Sequence, residues 1–336
     1  MKSVFIIGTQ RSGSNLLRLM LNQLKEIASP HPPHILDRMI PLMGTYGDLK
    51  DDAKFKTLVD DVCRLVELNP VEWSDVTFDR EKIFTQSEND RSLMSVYKAV
   101  YDTYAEHQNA HTWCCKSMAN INYIDSIEAH FEQPKYIYLY RDGRDVALSF
   151  QKAVVGEKHM YNIAKDWADT QEIAVNLRSS IESEFFYSVS YEQLTQQPEE
   201  TAQSLCKFLG VEFSSDMFDF HKSSEAKNAA DSSDLWGNVT SPIQSNNSKK
   251  YKKEMSEDDI RIFESVAGKM LDQLNYERDF VAIGEETQYT AADIEAFNAE
   301  NKRQKLAQLL NVNEEDKKRR QRQAGLLEEI KSRKVA

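Results

Sequence analysis

The chain has 336 residues, room for one large α/β domain or two small ones. Its 40% hydrophobic and 29% charged residues are ordinary for a globular protein, and no run approaches the roughly 18–20 apolar residues needed to span a bilayer. A net charge of −12 excludes a global field that would draw in nucleic acid or an anionic membrane, so a bound anion must be held by local cations. After Met1-Lys2-Ser3 the chain enters a strand without a leader, so a cytoplasmic location is expected. Cys63, Cys114, Cys115 and Cys206 are sparse and irregularly spaced; they read as reduced, buried thiols rather than a zinc site or disulfide framework, and no metal site is expected.

Val4 to Ile7 is a short apolar run, Gly8 to Gly13 a Gly/Ser/Arg turn, and Leu16 to Leu24 carries leucines at helical spacing. This predicts a buried strand, a loop and a helix. The first amides of such a helix lack intrahelical acceptors and carry partial positive charge, so the loop can cradle an anion. Gly8 and Gly13 let the backbone approach a ligand, and Arg11, Ser12, Ser14 and Asn15 add donors. The spacing is that of a P-loop, but Ser14 stands where that motif has lysine. Such a loop suits ATP poorly and favours another phosphate-bearing donor.

Next, Pro30, Pro32 and Pro33 hold an extended path that presents His31 and His34 from a stiff loop, with Asp37 following. Residues 48–108 read as helices, with an apolar stripe at Leu58, Val62, Leu65 and Val66, another at Leu93, Val96, Tyr97, Val100, Tyr101 and Tyr104, and Pro70 between them. This insertion is expected to shape a substrate pocket. Thr112 to Cys115 is a short strand ending at Lys116-Ser117-Met118. Pro134 to Phe150 is a strand ending at Arg141 and running into a helix on which Ser149 lies about two turns along. Arg141 and Ser149 can therefore converge on one anion, or Arg141, Asp142, Arg144 and Asp145 can form a surface ion-pair cluster. Phe185 to Glu192 predicts a strand and turn, and Pro198 to Gly210 a helix with proline at its start and glycine at its end. Asp231 to Ser248 reads as a loop ending in the basic run Lys249 to Lys253, either solvated surface or an anion clamp. Ile260 to Leu274 is an amphipathic helix, and beyond Ile283 the tail is charged and helix-prone.

The stretch Gly8-Thr9-Gln10-Arg11-Ser12-Gly13-Ser14-Asn15-Leu16-Leu17, with Lys116-Ser117 at a strand end and the Arg141-to-Ser149 spacing, resembles the sulfotransferases that use 3′-phosphoadenosine-5′-phosphosulfate (PAPS). The loop is closer to their Arg-Ser-Gly-Ser branch than to the cytosolic Lys-Ser-Gly-Thr branch. The resemblance covers roughly residues 3–280 in pieces and includes Tyr191 to Leu194, Pro198 and Phe208-Leu209-Gly210 as scaffold. It implies that Ser12, Gly13, Ser14 and Asn15 bind the 5′-phosphate, that Arg11 meets the bridging oxygen and departing phosphate, and that Lys116 meets the sulfuryl oxygens. It further implies that Arg141 and Ser149 bind the 3′-phosphate, with Lys250 and Lys253 from the late basic run. The cytosolic branch has its histidine base two residues past the lysine, where this chain has Met118. The base therefore falls to His34 first or His31 second, with Asp37 as an orienting carboxylate.

The expectation is a three-layer α/β/α, P-loop-like domain over residues 1–282 with a central, mainly parallel sheet, and a charged helical extension over 283–336 for packing or for homo-oligomer formation. The implied reaction is sulfuryl transfer from PAPS, leaving 3′-phosphoadenosine-5′-phosphate (PAP), to a hydroxyl or amine of a small-molecule, glycan or lipid acceptor. An ATP- or GTP-dependent phosphotransferase and a non-catalytic nucleotide-binding protein are the alternatives.

Overall fold

Apolar β-branched and aromatic runs become strands here because helices cover both of their faces. The computed structural model describes residues 1–73, 75–232, 234–310 and 312–333; Ser233, in the stretch read as a loop, and the last three residues of the tail lie outside the described residues. Strands β1 (Lys2–Ile7), β2 (Ile27–Ala28), β3 (Thr112–Cys115), β4 (Lys135–Tyr140) and β5 (Phe186–Ser190) form one sheet in the order β2-β3-β1-β4-β5, with parallel pairings throughout. Successive strand residues face opposite ways. Phe5, Ile7, Trp113, Cys115, Tyr136 and Tyr138 thus enter one core, and Val4, Ile6, Cys114, Ile137, Leu139 and Val189 the other. The adjacent Cys114 and Cys115 are free, buried and divided between the two faces.

The helices are α1 (Ser14–Leu21), α2 (Ile35–Met39), α3 (Asp52–Glu67), α4 (Arg80–Gln86), α5 (Leu93–His107), α6 (Ile124–His130), α7 (Gly143–Lys152), α8 (Met160–Ser180), α9 (Tyr191–Gln196), α10 (Pro198–Leu209), α11 (Ser224–Ser232), α12 (Tyr251–Glu254), α13 (Glu257–Gln273), α14 (Ala291–Leu309) and α15 (Glu314–Ser332). Their ends follow local chemistry. Asp51 accepts from the Ala53 and Lys54 amides to start α3, Ser92 and Ser95 form a capping box on α5, and Gly210 ends α10 in the left-handed region at φ 73°. The first helix stops at Leu21 rather than running through Leu24, though Leu24 is still buried in the same core. The stretch expected as a loop after Asp231 contains the end of α11 and a 3₁₀ segment, Asp234–Thr240.

Helices α1, α10 and α11 cover one face of the sheet, while α3, α5, α8 and α13 contribute to the core on the other, giving the expected three-layer α/β/α architecture. The tail returns to this body. Asn301 of α14 accepts from the Lys158 and His159 amides at 2.7 and 3.0 Å. On α15, Leu326 and Ile330 are buried in the main core, and Gln323 donates to the Leu65 carbonyl at 2.6 Å. Arg64 pairs with Glu329 at 2.7 Å, and Arg333 donates to Asp61 at 3.0 Å. Among the described residues, no helix is long and apolar enough to cross a membrane.

Candidate active site

The order β2-β3-β1-β4-β5 makes the chain leave β1 toward one side of the sheet and return to the other, so a crevice opens at the carboxyl ends of β1, β3 and β4. At the end of β1, Gly8 takes φ 128° and Gly13 takes φ 90°, conformations that favour glycine. A Cβ on Gly8 would lie 2.3 Å from the Leu139 carbonyl oxygen, and one on Gly13 would lie 2.5 Å from the Tyr191 ring. The loop is therefore pressed onto β4 and onto the start of α9. Gly13 caps α1 without a side-chain hydrogen bond, leaving the first helical amides for a ligand.

Around this loop the structure gathers cations. Arg11, itself at φ 70°, donates from Nε to Ser149 Oγ at 2.9 Å. Arg141, from the end of β4, donates to the Arg11 carbonyl at 3.2 Å and to the Asn247 carbonyl at 2.6 Å, and its guanidinium lies 4.2 Å from the Tyr191 ring centroid. Arg141 and Ser149 thus meet through Arg11, so the strand-end arginine and helical serine adjoin the loop after β1. Lys116, at the end of β3, is buried, and burial together with Arg18 and Arg11 pushes its ammonium down to about 7. Burial and Arg141 also lower Arg11. Like charges packed this closely are stabilised when an anion sits among them.

Arg141 Nε is a buried donor without a hydrogen-bond partner, available to such an anion, and Ser12 Oγ and Ser117 Oγ, also without one, lie behind the cavity wall. Ser14, Asn15, Arg11, Lys116, Arg141 and Ser149 share a cavity of about 1090 Å³, joined by Lys250. Among the described residues Ser12 contributes no surface to it, being fully buried beneath the loop, and Lys253 lies outside the lining on an exposed position.

The two histidines reach the same cavity from the expected stiff loop, but in a buried setting. His31 is buried: its carbonyl accepts from Trp73 Nε1 at 2.7 Å and from Asn69 Nδ2 at 3.2 Å, and the same amide nitrogen lies 3.3 Å from its Nδ1. The Asn69 amide also donates to the Val71 carbonyl at 2.8 Å, so Asn69 and Trp73 together fix the backbone at His31. His34 is half-buried at φ 58° where α2 begins, and burial, Lys116 and Arg38 push its imidazolium down to about 3. Among the described residues, no hydrogen bond joins His34 to Asp37, so the orienting role expected of that carboxylate is not seen; Asp37 lines the cavity nearby.

A model of the sulfotransferase family matches residues 3–215. The chain belongs to the sulfotransferase family. Two solved structures share its fold. The sulfotransferase domain of the Synechococcus PCC 7002 olefin synthase is 19% identical with a TM-score of 0.56, covering 82% of this chain and 95% of that one. The sulfotransferase domain from the curacin biosynthetic pathway is 20% identical with a TM-score of 0.56, covering 83% of this chain and 99% of that one. No curated protein sequence matches the chain.

In this sulfotransferase the four charged residues at 141, 142, 144 and 145 are all buried, which overturns the surface ion-pair reading. Asp145 accepts from the Lys249 and Tyr251 amides at 2.6 and 3.1 Å, tying the late basic run to α7. Arg144 pairs with Asp142 at 2.9 Å and Glu264 at 2.7 Å, beneath the site. Tyr191, whose hydroxyl accepts from Asn247 at 2.8 Å, was read only as scaffold; its place beside Gly13 and Arg141 carries no local sequence signal beyond the Tyr-Glu-Gln-Leu resemblance. The 48–108 insertion lines none of the cavity among the described residues; α2, residues 118–122 and the tail do so instead. Met118 is buried against the loop, with its methyl 3.4 Å from a Cβ built on Gly8.

Proposed function

We propose that this sulfotransferase moves a sulfuryl group from PAPS to a hydroxyl or amine of an acceptor, with His34 as the base. The observation that carries the reading is the meeting of Arg11, Lys116, Arg141 and Ser149 with the uncapped start of α1 in one cavity. Two phosphate-type sites, one on a strand–loop–helix and one on a strand-end arginine with a helical serine, match a donor with a 5′-phosphosulfate and a 3′-phosphate. When bound, PAPS supplies the activated sulfur and a phosphate leaving group. Ser14, Asn15 and the first α1 amides hold the 5′-phosphate, while Arg141 and Ser149, with Lys250 at the rim, hold the 3′-phosphate. Arg11 and Lys116 stabilise charge that develops as the sulfur–oxygen bond to phosphate breaks and the bond to the acceptor forms, a role for fixed, desolvated cations.

His34 is neutral at pH 7 and ready to take the acceptor's proton at a ring nitrogen. A conjugate acid near 3 is a weak base, but the field that depresses it comes partly from Lys116. An anion against Lys116 offsets that field and raises the basicity of His34 when the donor is in place. The test is PAP formation from PAPS, followed chromatographically over a panel of alcohols and amines. His34→Ala lowers turnover by roughly 10²–10⁴ with PAP affinity unchanged. Near-normal turnover of this variant moves the base elsewhere.

A further inference from the structure

The end of the cavity around His34 is walled from three places. Helix α2 gives Asp37 and Arg38, the segment after Lys116 gives Asn122, and α15 gives Asp316 and Arg320. On α15, Arg320 Nε donates to Asp316 Oδ1 at 3.0 Å, and Asp316 is buried. The charge of Arg320 is felt at both Arg38 and His31, so α15 stands beside His31 and the start of α2 rather than at a distant rim. The helix is fixed there. Gln323 accepts from Arg38 and donates to the Leu65 carbonyl, and Leu326 and Ile330 lie in the main core.

The chemistry of this wall is selective. The aromatic residues that line the cavity, Phe150, Trp167, Tyr191 and Phe220, come from other elements. Beside the apolar Ile121 and Val312, the wall here offers two carboxylates, two guanidiniums and the carboxamides of Asn122 and Asn313, with the charges of Asp37, Arg38, Asp316 and Arg320 summing to zero. An apolar ring seated here would strip water from these groups without replacing its hydrogen bonds, whereas a hydroxyl-rich molecule replaces them. With Lys116 engaged by the anionic donor, the remaining balance of charge favours a neutral acceptor over an anion or a cation.

We propose that α15 completes the acceptor site, with Asp316 and Arg320 binding the hydroxyls of a neutral, hydroxyl-rich acceptor of the sugar or polyol kind. This rests on the sulfuryl-transfer reading above. The segment that carries both residues lies outside the 3–215 family match, so this wall is a feature of the chain's own tail.

The full-length protein with PAPS is offered methyl glycosides, disaccharides and inositol beside 2-naphthol and a sterol, and sulfated product is read by mass spectrometry. Product from the hydroxyl-rich compounds is expected. Asp316→Asn and Arg320→Gln each raise the acceptor KM by roughly tenfold or more, with a smaller change in kcat and with PAP affinity unchanged by calorimetry. Arg320 is the more exposed of the two, so Arg320→Gln tests the idea even where Asp316→Asn folds poorly. Sulfation confined to 2-naphthol or the sterol overturns the proposal, as does failure to sulfate any hydroxyl-rich compound by a protein that binds PAP. An unchanged acceptor KM in a variant that folds and binds PAP overturns the role of α15. Failure of the wild-type protein to bind PAP is a separate result, which removes the sulfuryl-transfer reading itself.

Discussion

Lys116 is a site cation whose chemistry the fold alters strongly. Its ammonium loses water by burial and faces Arg18 and Arg11, so its proton is held only to about pH 7. An anionic donor reverses this by favouring the charged form, and binding then takes up a proton near neutrality. The sign follows directly: PAP affinity falls as pH rises above about 7, by up to about tenfold per unit, because the free protein has already lost the proton that the complex requires. Calorimetry of PAP across pH 6.5 to 9, compared with Lys116→Met, reads this, and wild-type affinity as flat with pH as that of the variant contradicts it. His31 and His34 act on stability in the other direction. Both are depressed below the usual histidine range, chiefly by burial, so below about pH 6.5 the unfolded chain takes up protons that the native protein refuses. Folding stability therefore drops between pH 7 and 5, and a smaller drop in His31→Asn measured by urea unfolding supports the assignment. The prolines at 30, 32 and 33 made an extended path legible in the sequence. The burial of His31 was not, because it depends on Trp73 and Asn69 arriving from a loop some 40 residues away.

At the scale of elements, the strand–loop–helix at residues 2–21 was readable because its signals are local: a buried run, glycines at the turn and leucines at helical spacing. What the sequence did not reveal is how tightly the loop is backed. A methyl group on Gly8 meets a backbone carbonyl of β4 at 2.3 Å, and the φ of 128° is itself costly for alanine. Gly8→Ala is expected to lower unfolding free energy by about 2 kcal/mol or more and to weaken PAP binding; a denaturation midpoint equal to wild type contradicts the close approach. The Arg141-Asp-Gly-Arg-Asp motif was legible as a strand end and helix start, yet its burial was not. Arg144 fastens α7 to α13 through Glu264, which also accepts from the Asp279, Phe280 and Val281 amides. Those partners lie more than 100 residues downstream and leave no periodic trace. Arg144→Ala leaves a buried carboxylate without its cation and should cost about 3–5 kcal/mol. Breaking the exposed Lys165–Asp169 pair should cost no more than about 1 kcal/mol.

At the scale of the whole molecule, the three-layer arrangement was legible because parallel strands buried on both faces read as continuous apolar runs. The tail was legible as helices but not as a wall of the cavity, since its apolar residues are few and its contacts with α2, α3 and α8 are mostly polar. Its anchoring makes a prediction: Ile330→Asp places a charge in the main core, releases α15 and speeds hydrogen exchange across α15 and the facing part of α3. Exchange unchanged in α3 would contradict the docking. The central claim is that the loop after β1 and the Arg141–Ser149 pair form one site for a donor with two phosphate groups. Its most direct test is calorimetry of PAP beside ADP, AMP and ATP with Mg²⁺, on wild type and Arg141→Ala. Selective PAP binding that Arg141→Ala abolishes is the predicted result. PAP bound no better than ADP, or a preference for ATP with Mg²⁺, would contradict it and bring the phosphotransferase chemistry of a P-loop forward.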